Sequence, residues 1–346
     1  MHHGLNRLYT TEASSWIKPI FEDMAQQSPA LVIIGGAIQG YMDDGCQGMS
    51  VKSMEHVDLA LRTFRQELSD RYEKIHASTI CAGLLVCSLC LLQSQPWTMY
   101  LELMVKIYDL KNKLNTPGQI PINDLHTQHV LEVLGVMDLP SMVIGRINPS
   151  IGIWKRLRRL QDDLPDGRAD GIEVVSGMPR SLLDIFAGMV DNDPEYTEGR
   201  FWSWTGQIGI LEVRRRQRMD KKARGIQERE DDTSKTSPDT EVVVCRLISS
   251  IDALQKAYEE PRNRDLLVHN GLPYPVLNAS LEVPILKKHP TWKRTLDEVR
   301  SSFLTNNPFV LTNVVYELLD EAWEDGTSTF DIEAAARSRH VELAIF

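Results

Sequence analysis

The stretch HASTICAGLLVCSLCLL, His76 to Leu92, contains the longest apolar run of the chain, and no other feature limits the fold as strongly. From Thr79 to Leu92 the run covers about fourteen residues, whereas a helix crossing a bilayer needs about twenty. A membrane span is therefore not expected. Ala82, Gly83, Leu84, Leu85, Val86, Leu89, Leu91 and Leu92 leave no polar face, so a helix made from them belongs inside a large core. Cys81, Cys87 and Cys90 stand among these apolar neighbours with no fourth cysteine, which fits buried free thiols better than a tetrahedral zinc site.

Around this run the helical period dominates. In MEHVDLALRTFRQELSDRYEKI, Val57, Leu61, Phe64, Leu68, Tyr72 and Ile75 recur at steps of three or four, with Arg62, Arg65, Glu67, Asp70 and Arg71 mostly off the stripe and Ser53 placed to cap the start. Val244, Leu247, Ile248, Ile251, Leu254 and Tyr258 form a second stripe, and Leu311, Val315, Leu318 and Ala322 a third. Breakers fall at Thr116-Pro117-Gly118, at Leu164-Pro165-Asp166-Gly167 and through Gly271 to Pro284. The fold expected is all-α: one large helical domain over residues 1–346 with long loops.

Residues 214–240, RRRQRMDKKARGIQEREDDTSKTSPDT, run from basic to acidic to Ser/Thr-rich with almost nothing to pack. A mobile charged insertion is expected there, because so little apolar area cannot offset the entropy of ordering. Its basic half offers Arg214, Arg215, Arg216, Arg218, Lys221, Lys222 and Arg224 as a nuclear import signal or phosphate-binding face; a solvated helix end is the plainer reading. The whole chain carries a formal charge of −10, which disfavours direct DNA binding by the chain alone. Five cysteines and a start without an apolar leader point to a reducing intracellular compartment, nucleus or cytoplasm.

Three stretches in order carry a family resemblance. HHGLNRLYTTEASSWIKPIFEDMAQQSPALVIIGGAIQGYM, then HVDLALRTFRQELSD, then HASTICAGLLVCSLCLLQSQPWTMYLELMVKIYDL resemble the regulatory domain of fungal zinc-cluster transcription factors: a His-containing helix, an "sP.L" segment, a charged helix, and an apolar helix ending near Trp97. SGMPRSLLDIFAGMVD is similar to a later helix of that family, so the likeness runs from about His2 to Asp191. It implies transcriptional control of a pathway, such as secondary metabolism, through a protein partner, a homodimer or an apolar small molecule. It implies no cofactor and no catalytic residue. The cysteine cluster with which such factors read DNA is not found in this sequence.

Other constellations carry chemistry in principle. Gly35, Ala37 and Gly40, with Glu55 about twenty residues on, match dinucleotide-fingerprint spacing, but that device needs a strand before it and the flanks read as helix. His126, His129 and Glu132 share helix spacing and offer two imidazoles and a carboxylate to a metal, against the plainer reading of chance spacing on an exposed helix. The sharpest alternative is DDLPD. Asp162, Asp163 and Asp166 have the spacing of the DDxxD motif of class I terpene cyclases, whose carboxylates hold magnesium against a prenyl diphosphate such as the farnesyl ester. Lys155, Arg156, Arg158 and Arg159 on the preceding helix would meet phosphate, and Trp202 and Trp204 would line a pocket. The second metal motif of such cyclases does not follow; NDLHTQHVLE, Asn123 to Glu132, approaches it but precedes DDLPD.

Overall fold

The computed structural model describes residues 11–44, 49–71, 76–165, 167–188, 206–225, 239–260, 271–306 and 310–345. Of these, 74% are helical, in sixteen α-helices with almost no strand, so the all-α fold is established. The helices are α1 Thr11–Gln27, α2 Pro29–Asp44, α3 Val51–Arg71, α4 Ala77–Leu92, α5 Thr98–Ile107, α6 Leu110–Lys113, α7 Leu125–Met137, α8 Ile153–Asp162 and α9 Arg180–Gly188. They continue with α10 Gly206–Ala223, α11 Thr240–Glu259, α12 Pro273–Ser280, α13 Val283–Lys288, α14 Pro290–Asn306, α15 Val310–Asp325 and α16 Ile332–Ser338. Two short strands, β1 Val143–Ile144 and β2 Leu343–Ala344, pair antiparallel.

The apolar run is α4, with twelve of its sixteen residues buried. It packs against α2, α3, α5 and α7 at the centre of a first core. Each fully buried Leu or Ile there contributes roughly 1.5–3 kcal/mol. Gly83 lets α5 approach closely, because a Cβ at that position would overlap the Met104 sulfur and force that side chain to shift. No described helix is long and apolar enough to cross a membrane.

Polar groups inside this core are matched. Glu67 of α3 accepts from Ser28 Oγ and Thr79 Oγ1, each at 2.8 Å, and so pins the α1–α2 junction to α4. The α3 stripe buries Phe64 and half-buries Val57, Leu61 and Leu68, while Tyr72 and Ile75 lie outside the described residues. Its cap differs from the expectation: Ser50 Oγ accepts the Ser53 N–H at 3.2 Å, so Ser50 caps and Ser53 is already helical.

A second core joins α9 to α16, with Phe186, Leu211, Val244, Leu277 and Leu318 among its buried side chains. α7 serves both, sending Leu131 and Leu134 into the first core and Val136 into the second. The C-terminal strand closes the joint: Val143 pairs with Ala344 and Ile144 with Leu343, and Ile345 N–H donates to Met142 O at 3.0 Å. Gly145 turns β1 away with φ +76°, against the Val341 carbonyl, where a side chain would be both strained and blocked.

Candidate functional site

α8 ends at Asp162 as its sequence implies, with Asp163 as the C-cap. Arg168 folds back and pairs with Asp162 through both ends of its guanidinium, Nη2 to Oδ2 at 2.7 Å, and this contact holds the carboxyl below its ordinary range. Asp162 and Asp163 are exposed, and Asp166 lies outside the described residues. The cations of α8 do not converge on a phosphate. Arg159 is exposed and Lys155 half-buried, whereas Arg158 is buried.

Arg158 spends its donors inside the protein, on Asp184 Oδ1 and Oδ2 at 2.9 and 3.0 Å, Gln161 Oε1 at 2.6 Å and the Ala169 carbonyl at 2.7 Å. Trp154 Nε1 donates to the same Asp184 at 2.7 Å. Arg158, read in the sequence as a phosphate ligand, thus ties α8 to α9 and to the loop between them, because its guanidinium has a carboxylate within reach on the buried side.

The His126–His129–Glu132 series shares α7, but its members look in different directions. His126 Nε2 stands 2.9 Å from Asp23 of α1, while His129 is buried edge-on against Phe21. Burial first, and then the nearby His126 and Arg180, push the His129 imidazole down to about 4. Glu132 is turned inward to Arg180, Oε2 to Nη2 at 2.7 Å. Arg180 also donates to the carbonyls of Asp170 and Ile172, each at 2.9 Å. Among the described residues no group of three His, Cys, Asp or Glu is placed to hold a metal. Gly35, Ala37 and Gly40 all fall within α2, which follows α1 directly, so the strand that a dinucleotide fingerprint requires is missing.

Part of the basic run is helical. Residues 214–223 are the latter part of α10, an ordered helix docked on the second core; the segment 226–238 lies outside the described residues, as do Trp202 and Trp204. Arg214 reaches Thr240 Oγ1 at 2.9 Å, Arg215 reaches Asn278 Oδ1 at 3.0 Å, and Arg218 reaches Glu282 Oε1 at 2.5 Å. Arg216 pairs with Glu212, which also accepts from the Tyr274 hydroxyl. Lys222 Nζ reaches Thr329 Oγ1 at 3.1 Å and Lys221 is exposed. Of the residues read as an import signal, Arg214 and Arg215 are thus half-buried and engaged in the fold, whereas Arg216, Lys221 and Lys222 are exposed.

One open feature among the described residues is a cleft between α12, α14 and α15. Trp323 and Tyr316 line it, two turns apart on the same α15 face, with Lys293 and Arg300 of α14 opposite. Lys293 Nζ stands 4.9 Å from the Trp323 ring centre, and Arg300 Cζ 4.8 Å from that of Tyr316. Arg300 is itself held by Asp320, Nη2 to Oδ2 at 2.7 Å, and burial pushes the Tyr316 phenol well above its ordinary range. The enclosed space is about 20 Å³, room for one water molecule. Sequence reading passed over these residues, although the seven-residue steps 293 to 300 and 316 to 323 mark them as same-face pairs on two helices. Comparison with family models, curated proteins and solved structures gives no match for this chain.

Proposed function

We propose that this chain is a helical regulatory domain of the fungal zinc-cluster transcription-factor kind, acting in the control of a pathway through contacts with a protein partner. The observation that carries the reading is the order of helices. α1 and α2 abut at Ser28-Pro29, a charged α3 follows, and the apolar α4 leads to the fully buried Trp97. That is the order on which the sequence resemblance rests, and α9 occupies the place of the later similar helix.

Two further points support contact over catalysis. Of the residues that the catalytic alternatives invoke, Arg158 and Glu132 are bound to Asp184 and Arg180 inside the fold, and Asp162 is paired with Arg168. The cleft residues Trp323, Tyr316 and Arg300 are of the types that dominate binding energy at protein interfaces.

The test is a reporter assay in fungal cells with the full chain joined to an unrelated, nuclear DNA-binding module. Reporter output should rise or fall severalfold relative to the module alone. Unchanged output, with the fused protein folded and present at equal level, would remove the proposal.

A further inference from the structure

Three places in the chain join a serine or threonine to a following proline: Ser28-Pro29, Thr116-Pro117 and Ser237-Pro238. Proline-directed protein kinases read this pair, since the proline has no N–H to leave unbonded and biases the residue before it towards extended backbone. The fold treats the three differently. Ser28 is fully buried and donates to Glu67 Oε2 at 2.8 Å, so no enzyme reaches it unless the first core opens. Ser237 lies outside the described residues. Thr116 stands on the surface.

The loop from α6 to α7 is anchored by two apolar side chains, Leu114 and Ile120, at 2% and 5% exposure. Between them Asn115, Thr116, Pro117, Gly118 and Gln119 are all exposed. The Gln119 N–H donates to the Thr116 carbonyl at 3.3 Å and Gly118 has φ +79°, so Pro117 and Gly118 make the corner of a type II turn that Thr116 leads into. The Thr116 hydroxyl itself makes one contact, donating to the Asn112 carbonyl at 3.3 Å. Drawing this tip into the cleft of another protein therefore breaks a few turn bonds and uncovers no core.

The same surface holds a cation for the product. Arg156 of α8 reaches over to this loop, donating through Nη1 to Asn115 Oδ1, while its Nε donates to the Ile151 carbonyl at 3.3 Å. We propose that Thr116 is a phosphorylation site for a proline-directed kinase, and that Arg156 receives the phosphate. The γ-phosphoryl group of ATP passes to Thr116 Oγ1: the bond to the ADP oxygen breaks, a P–Oγ1 bond forms, and the hydroxyl proton leaves to the kinase's base. The Asn112 carbonyl loses its donor and repels the phosphate off the end of α6. A guanidinium one residue away binds phosphate through paired N–H donors, so the modified loop is tied to α8 by charge where now it is tied through Asn115. The proposal does not rest on the regulatory reading.

The full chain is incubated with ATP and purified kinases of the mitogen-activated and cyclin-dependent classes, and the phosphate is located by mass spectrometry. Thr116 should carry it and Ser28 should not. With Ser237→Ala in place to silence the third motif, Thr116→Ala should abolish labelling and Pro117→Ala should slow it roughly tenfold or more. The receiving role of Arg156 is read separately, from the 31P resonance of the phosphothreonine. Its titration midpoint, about 6 for a free phosphate ester, should lie lower in the wild type and rise in Arg156→Gln, which removes the charge and keeps a hydrogen-bonding side chain. The proposal is overturned by a chain that neither kinase labels, by label confined to Ser237, by label that survives Thr116→Ala, or by a midpoint that Arg156→Gln leaves in place.

Discussion

Glu342 and Thr98, 244 residues apart in the chain, meet through two hydrogen bonds: the Thr98 hydroxyl donates to Oε1 at 2.6 Å and its N–H to Oε2 at 2.8 Å. The same carboxylate takes the N–H groups of Trp97 at 2.7 Å and Ile147 at 2.8 Å. A residue beside the C-terminal strand thereby satisfies the otherwise orphaned donors that open α5, and joins the two cores. Glu342→Ala strands these donors in a fully buried place and should cost about 3–5 kcal/mol in urea denaturation. Glu342→Gln, which keeps the shape but points an amide NH2 at donors, should fall between the alanine variant and wild type. A loss below about 1 kcal/mol for Glu342→Ala would refute the joint.

Arg218 offers a contrast with a neighbour in the same basic run. Truncating it leaves Glu282, only 2% exposed, as a buried carboxylate without its cation. Arg218→Ala should therefore cost about 3 kcal/mol or more, while exposed Arg224→Ala should stay within about 0.5 kcal/mol. Equal effects by thermal unfolding would mean that the run is a solvated face after all.

Acid should find a weak point at His129. Its ring is held down to about 4 in the fold by burial, against 6.5 for the free side chain, so the unfolded chain binds the extra proton. The stabilisation is complete above pH 6.5 and is lost as pH falls toward about 4, by about 3 kcal/mol over the full range. Glu173, whose carboxyl burial raises, responds in the opposite sense. The quantity to measure is therefore the difference between wild type and His129→Leu: their stability gap should narrow or reverse between pH 7 and about pH 4.5. A gap that ignores pH would show that the ring is accessible to protons.

What was legible in the sequence was local. The all-apolar α4, the α3 stripe through Phe64 and the end of α8 at Asp162 follow from neighbours within a few residues, and each formed where spacing placed it. Ser53 against Ser50 shows the limit of such reading, since either serine suits a cap and backbone geometry decides. The fate of the basic run was not legible, because its partners Asn278 and Glu282 lie more than sixty residues further on. Without them, Arg215 and Arg218 read as solvated. Glu342 gave no signal for the same reason, and the Trp323 cleft exists only where two helices from separate stretches cross.

If partner contact runs through that cleft, Trp323→Ala should weaken reporter output from the fused chain about fivefold or more, the scale of a hot-spot truncation, while leaving helix content unchanged by circular dichroism. Exposed Leu125, 62% accessible and distant in sequence, serves as control: Leu125→Ala should leave output unaltered. Equal output from both variants would move the contact elsewhere.

The acidic loop supplies the last expected outcome. Asp162 is half exposed and already neutralised by Arg168, while Arg158, the cation that would have met a diphosphate, is locked to Asp184. A magnesium site here would have to displace Arg168 before binding, without help from Arg158. Incubated with farnesyl diphosphate and magnesium, the chain should return the substrate unchanged, as judged by gas chromatography of the extract. Asp162→Asn should alter stability by less than about 0.5 kcal/mol, since exposed ion pairs contribute little. A cyclic hydrocarbon made by the wild type and lost in Asp162→Asn would overturn the regulatory reading outright. It would mean that Arg168 acts as a gate which substrate displaces, and that the carboxylates at the end of α8 are catalytic.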